Sequence, residues 1–214
     1  MKHLENIAKL FHKNFVESPL IETFEVGKLV LPTGQLVASD PLTTGEMPAF
    51  ETTFPIGEFS TFVHKEKDSN CIAYAEIVFS DTEISEWKLA TRSGENPEEL
   101  KEGEIFGYPV ESGMGCFMDL ETQAGLNHLE KDLFQKKGDD FMGIYEEFFH
   151  PYFFDDNGAI DQFAILKPQE EKPGNIMAFE TGYGEGFYAT YIGFDQNNAP
   201  VKIVSEFIEM EIEQ

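Results

Sequence analysis

The sequence predicts an α+β fold: a largely antiparallel β-sheet with an N-terminal helix and one main helix near residues 119–137, the helices to one side. Three observations carry this. Cys71–Phe79 is an almost unbroken apolar run, the pattern of a central strand buried on both faces. Gly57–His64 alternates, with Phe59, Thr61 and Val63 facing one way and Ser60, Phe62 and His64 the other. Leu126, Leu129, Leu133 and Phe134 recur at helical spacing, and Gly138 follows Lys136 and Lys137 as a helix-stop signal.

The elements follow in chain order. Leu4, Ile7, Phe11 and Phe15 share one face of an amphipathic helix over residues 2–16, bounded by Pro19. Lys28–Leu31 and Gln35–Ala38 flank Pro32-Thr33-Gly34 like the arms of a hairpin. Ile84–Thr91 is a further strand, and residues 93–104 form an acidic loop. Beyond the main helix, Phe141–Phe149 holds a helical turn or two and Asp155-Asp-Asn-Gly158 a chain reversal. Strands then occupy Ile160–Leu166, Asn175–Glu180, Phe187–Asp195 and Val201–Phe207, with Gln196–Pro200 as the loop between the last two. After Phe207 the alternation inverts, because Ile208, Met210 and Ile212 are apolar and Glu209, Glu211 and Glu213 acidic. A period-two pattern changes face only through a break, so a bulge or sharp bend is predicted near Phe207-Ile208, followed by a second short strand. No segment reads as a linker, and the 214 residues are expected to form a single domain, 1–214.

Hydrophobic residues make up 41% of the chain, enough for a sizeable core, and the 21 phenylalanines make that core aromatic. The formal net charge is −25, which disfavours nucleic acids and anionic membranes and favours cations or a basic protein partner. The start Met1-Lys-His-Leu-Glu-Asn lacks the apolar stretch of a signal peptide, and no apolar run approaches the ~20 residues of a membrane span. With two cysteines only, the chain reads as cytoplasmic with reduced thiols.

Two glycine-punctuated segments mark the functional surface: Gly107–Asp119 and Glu180–Tyr188. Glycine at such density signals sharp turns or a close backbone approach. The first contains Ser112, whose loop Ser112-Gly-Met-Gly115 is a possible anion cradle or a plain tight turn. It also contains Cys116, a nucleophile if a helix N-terminus activates it and a core thiol otherwise. Asp119 is either the N-cap of the main helix or a functional carboxylate, and Asp40 either an Asx-type turn residue or a second such carboxylate. In the second segment Tyr183, Glu185 and Tyr188 are candidates to line a cleft. The five histidines do not cluster, there is no Cys-x-x-Cys, and neither a serine elbow nor a dinucleotide fingerprint is present, so no metal or cofactor is expected.

Leu31–Leu42, Gly107–Asp119 and Met177–Phe207 together resemble the mainly bacterial domain-of-unknown-function family 4241. That family often has Trp and Asp where this chain has Tyr183 and Glu185. The resemblance implies a shared fold and brings no activity with it.

The functional expectation is a recognition protein that works by binding, an immunity-type partner of a basic protein among the options. The alternatives are a hydrolase-like enzyme, which requires Asp40, Asp119 and Glu185 to meet with Tyr188 around one cleft, and a small-ligand or sugar-binding module with Tyr183 and Tyr188 flanking an open groove.

Overall fold

The computed structural model describes residues 2–12, 16, 18–101 and 103–210. The strands are β1 (Ile21–Leu31), β2 (Leu36–Ser39), β3 (Gly57–Glu66), β4 (Ile72–Val78), β5 (Glu86–Leu89), β6 (Tyr108–Val110) and β7 (Met114–Asp119) in the first part of the chain. After them come β8 (Phe154–Asp155), β9 (Gly158–Ala159), β10 (Phe163–Leu166), β11 (Ile176–Glu180), β12 (Gly186–Tyr188), β13 (Thr190–Phe194) and β14 (Pro200–Glu206). The helices are α1 (Lys2–Leu10), α2 (Leu120–Lys137) and α3 (His150–Phe153). The fold is α+β and its strand pairs are antiparallel, as the alternation predicts.

Two sheets form the centre. A six-stranded sheet has the order β1-β3-β4-β14-β13-β5, and a four-stranded sheet the order β10-β11-β7-β2. Their facing sides bury Leu29, Val63, Ile77 and Ile203 against Ala38, Phe117, Met177 and Phe179. The strands of the smaller sheet split by parity: Phe117 points into this shared core, while Met114, Cys116 and Met118 point away from it. That outer side is covered by α2 through Leu126, Leu129 and Leu133, and by Ile144, Phe149 and Phe153. The outer side of the larger sheet is covered by α1, whose Ile7 and Leu10, with Phe11 just beyond, pack on Tyr74, Tyr191 and Val204. Helices therefore flank the sheets on both sides, a correction to the one-sided arrangement expected. The apolar face of α1 and that of α2 each need a sheet face, and two sheets supply two.

Several boundaries also differ. α1 ends at Leu10, and Phe15, expected on its stripe, lies outside the described residues. Pro32-Thr33-Gly34 does not close a hairpin: β1 pairs with β3 in one sheet and β2 with β7 in the other, so the turn carries the chain between sheets. The expected strand Phe187–Asp195 is two strands, β12 pairing with β6 and β13 with β14. Asp119 caps α2 by accepting the N–H of Glu121, and Gly138 ends it with φ 56°. At the C-terminus the predicted bend is present. The N–H groups of Phe207 and Ile208 both reach the carbonyl of Ala73, at 2.8 and 3.3 Å, after which Ile208 and Met210 are buried and Glu209 is exposed. Residues 208–210 are not a strand, and residues 211–214 lie outside the described set.

The outer face of the larger sheet buries charge as well as apolar groups. Lys202 Nζ donates to Glu76 Oε1 at 2.7 Å, Glu76 Oε2 lies 3.0 Å from His64 Nε2, and His64 Nδ1 lies 2.9 Å from Thr23 Oγ1. Four residues beyond Lys202 on β14, the carboxylate of Glu206 bonds His3 Nδ1 at 2.8 Å. Among the described residues no helix is long and apolar enough to cross a membrane.

Candidate functional site

The loop before β7 and the loop after β11 are brought together by strand pairing. β7 and β11 run antiparallel with Met114 opposite Glu180, so the chain entering one strand meets the chain leaving the other. Thr181 fastens the junction: its N–H and its hydroxyl both donate to Gly113 O, at 2.9 and 3.0 Å, and its hydroxyl also lies 2.8 Å from Gly184 O. Gly182 takes φ 45°, donates its N–H to Ile72 O, and sits so close to Phe207 and Ile208 that a Cβ there would approach them at 3.1 Å. The two glycine-rich segments thus form adjoining walls of a single cavity of about 630 Å³.

Ser112, Gly113 and Met114 make one wall of the cavity and Glu180 to Gly184 the next. Tyr145, Phe153 and Phe154 make a third, with Leu42 and Cys71 at the edges. The aromatic wall comes from an irregular segment. Tyr145–Phe149 is a π-helical turn running directly into α3, a wider turn than an α-helix, and such turns often re-aim side chains at functional sites. Tyr183 stands on the rim, 73% exposed, with its hydroxyl 3.3 Å from Glu66 Oε2. Glu180 is the one charged side chain in the lining, and Gln162 Nε2 donates to its Oε2 at 3.0 Å.

The electrostatics are those of an acceptor-rich space. Burial raises the pKa of the Tyr145 hydroxyl, and the carboxylates of Glu146 and Glu180 raise it further. The Tyr183 hydroxyl is raised as well, chiefly by Glu66. The backbone, in contrast, offers little to an anion. Asp40 Oδ2 already accepts the N–H groups of Glu111 and Ser112, at 3.0 and 2.7 Å, and Ser112 Oγ accepts that of Met114 at 3.2 Å. The loop that reads as an anion cradle is wrapped around the protein's own carboxylate.

Ser112 and Tyr183 therefore line the cavity, and the other sequence candidates do other work. Asp40 is 1% exposed and holds the 111–112 loop together with the N–H of Leu42. Asp119 is fully buried and accepts four bonds, from Glu121 N, Thr33 N, Thr33 Oγ1 and Gly34 N. Cys116 lies inside β7, not at a helix start. Burial pushes its thiol up to about 12, and it donates to Ser39 O, so it packs as a core thiol. Glu185 is exposed, with its backbone carbonyl 3.4 Å from the Tyr188 hydroxyl. Tyr188 also donates to Gly184 O at 2.7 Å and stacks edge-on against Phe207, bracing the loop from behind. Asp40 and Asp119 stand at opposite ends of β2, about 14 Å apart at ~3.4 Å per residue. The hydrolase-like arrangement of Asp40, Asp119 and Glu185 around one space does not form. Among the described residues no group of three or more His, Cys, Asp or Glu is placed to hold a metal.

Sequence reasoning passes over Glu180, Tyr145, Phe153 and Phe154. Glu180 opens a segment already singled out. The others had a signal in aromatic density, because seven of the fourteen residues from Phe141 to Phe154 are Phe or Tyr, too many for the buried face of a short helix. It also passes over Arg92, the one arginine in the chain. Arg92 is 5% exposed and donates to the carbonyls of Pro48, Gly107 and Ala38 at 3.1, 3.0 and 2.9 Å, tying two loops to β2.

No curated protein and no solved structure matches the chain. Residues 29–205, which include both aspartate clamps and both glycine loops, match the family described as "Protein of unknown function (DUF4241)". The chain belongs to that family.

Proposed function

We propose that the protein works by binding, and that its site is the cavity between the 112–114 and 180–184 loops, which takes a small ligand. The observation that supports this most is the convergence itself. Two segments about seventy residues apart in sequence, each rich in glycine, meet at one space with an aromatic wall and a few polar groups, the usual make-up of a small-molecule site. A thermal-shift screen of a chemically mixed metabolite set tests the reading, since a ligand of the native state raises the melting temperature. Leu42→Trp, which fills the cavity from its edge, is the control. Hits are expected with the wild-type chain and lost in the variant; no hit, or hits that survive the filling, would overturn the proposal.

A second reading is favoured by charge and by one surface. Phe134 and Met142 are 60% and 74% exposed, Phe134 meets Phe141 edge-on, and Asp139 and Asp140 lie between them in sequence. With a net charge of −25, this surface suits a basic protein partner. Binding of that kind weakens as salt is added, because exposed charges are screened within about 10 Å at 0.1 M. Size exclusion and pull-down against basic proteins at low salt check it, and failure to retain any of them, or loss of nothing in Phe134→Ser, counts against it.

A further inference from the structure

The cavity's polar groups are unevenly divided. Three backbone donors of the 111–114 loop are consumed inside the protein, by Asp40 and by Ser112 Oγ. The N–H and hydroxyl of Thr181 are consumed by Gly113 O. No lysine, arginine or histidine is in the lining. The space is lined by one carboxylate, Glu180, and four aromatic side chains, Tyr145, Phe153, Phe154 and Tyr183, beside the smaller Ser112, Cys71, Leu42 and Met114. Anionic ligands would meet the repulsion of Glu180 with no basic side chain to offset it, only the hydroxyls of Ser112, Tyr145 and Tyr183. A neutral polyol would find few of the paired donors and acceptors that orient hydroxyl groups. A positive charge would find both an opposite charge and ring faces, whose quadrupoles attract cations.

Resting on the reading that the cavity binds a small ligand, we infer that this ligand is an organic cation, an ammonium or guanidinium compound whose charge sits against Glu180 within the aromatic wall. The surroundings agree. Gln162 fixes one oxygen of Glu180, so the carboxylate is oriented before a ligand arrives. The pKa of the Tyr145 hydroxyl is raised first by burial and then by the carboxylates of Glu146 and Glu180. The net charge of −25 draws cations toward the surface as a whole.

The test uses the full chain and four probes: choline and agmatine as cations, neohexanol as the neutral carbon isostere of choline, and glucose as a polyol. Calorimetry gives affinity, and amide NMR shifts at Gly113, Thr181 and Gly184 locate the binding. Choline or agmatine is expected to bind there at least ~10-fold more tightly than neohexanol, the ratio of a cation–π contact and an ion pair worth together somewhat over 1.4 kcal/mol. Glu180→Gln keeps the shape of the site and its contact with Gln162; it is expected to weaken the cations by ~10-fold and leave neohexanol unchanged. Tyr183→Leu, on the exposed rim where folding is not at stake, is expected to weaken choline more than neohexanol. Equal affinity of choline and neohexanol, or a Glu180→Gln variant that binds cations as well as wild type, overturns the inference. Glucose bound in the cavity with no cation bound overturns the ligand class and keeps the cavity as a binding site. Silence of all the probes at those three amides, with library hits also absent, overturns both.

Discussion

Asp40 and Asp119 hold each other's loops. They sit at opposite ends of the β2–β7 pair, Asp40 reaching the N–H groups of Glu111 and Ser112 ahead of β7, and Asp119 those of Thr33 and Gly34 ahead of β2. Each carboxylate replaces water for backbone donors that the sheet edge leaves without strand partners. Asp40→Ala and Asp119→Ala each strand several buried N–H groups, at ~1–3 kcal/mol apiece, so each is expected to cost roughly 3 kcal/mol or more in urea unfolding. The two should differ in amide exchange. Asp40→Ala speeds exchange at Glu111 and Ser112, beside the cavity, and Asp119→Ala at Thr33 and Gly34, away from it. Identical exchange patterns would refute the division.

Arg92 is irreplaceable by lysine. A guanidinium reaches three carbonyls in three directions, and an ammonium, a single point donor on a shorter side chain, cannot. Arg92→Lys keeps the charge but leaves buried carbonyls without donors, with an expected loss of about 2 kcal/mol in chemical denaturation. A variant as stable as wild type would mean that the two loops and β2 are held by packing alone.

The two buried glutamates of the larger sheet respond oppositely to pH. Burial favours the neutral form of Glu76, but the hydrogen bonds and charges of His64 and Lys202 outweigh it and hold its pKa below the ordinary 4.5. Its contribution is therefore present above that value and is lost as pH falls through the lowered folded pKa. Glu206 is raised, mainly by burial and also by Glu209, with His3 opposing. Its folded form binds its proton more tightly than the unfolded chain does, so stability declines as pH rises from about 4.5 through the raised value. Glu206→Gln is expected to flatten that decline in melting temperature above pH 4.5. Glu76→Gln should instead cost about 3–5 kcal/mol at neutral pH, because it removes the buried carboxylate charge that Lys202 Nζ and His64 Nε2 both contact. A Glu206→Gln profile parallel to wild type would show that the His3 contact cancels the effect of burial.

The C-terminal tail is structural. Ile208 and Met210 are 9% and 4% exposed, and Met210 N donates to the Tyr74 hydroxyl at 3.2 Å. Deleting residues 208–214 is expected to cost roughly 3–5 kcal/mol, at ~1.5–3 per buried side chain. Because Gly182 rests on Phe207 and Ile208, the same deletion should also loosen the 180–184 loop and weaken any ligand of the cavity. An unchanged melting temperature would show the tail to be dispensable.

Much of the framework was legible because period and punctuation report local geometry. The strand 72–78, the cap at Asp119, the stop at Gly138 and the bend after Glu206 all follow from residues within one or two turns of each other. Which sheet a strand joins does not. Pro32-Thr33-Gly34 looks the same whether it closes a hairpin or crosses between sheets, since the choice is made by β3 and β7, far along the chain. The site shows the same limit. Glycine density located both loops, whereas Asp40, Asp119 and Cys116 looked reactive and are consumed by backbone groups of remote segments. The aromatic wall escaped notice because Tyr145 reaches the cavity from a π-helical turn, and Phe153 from the one-turn helix that follows it, so their spacing is neither regularly helical nor extended.

The two cysteines differ in a way that is useful at the bench. Cys116 is sealed in the core with its thiol pushed up to about 12, out of reach of alkylating reagents at neutral pH. Cys71 is partly exposed and stands on the cavity's edge, close to Tyr183. The native chain thus carries a single addressable thiol beside its pocket. A maleimide fluorophore attached there would report occupancy by a change in emission, with no cysteine to remove and none to introduce.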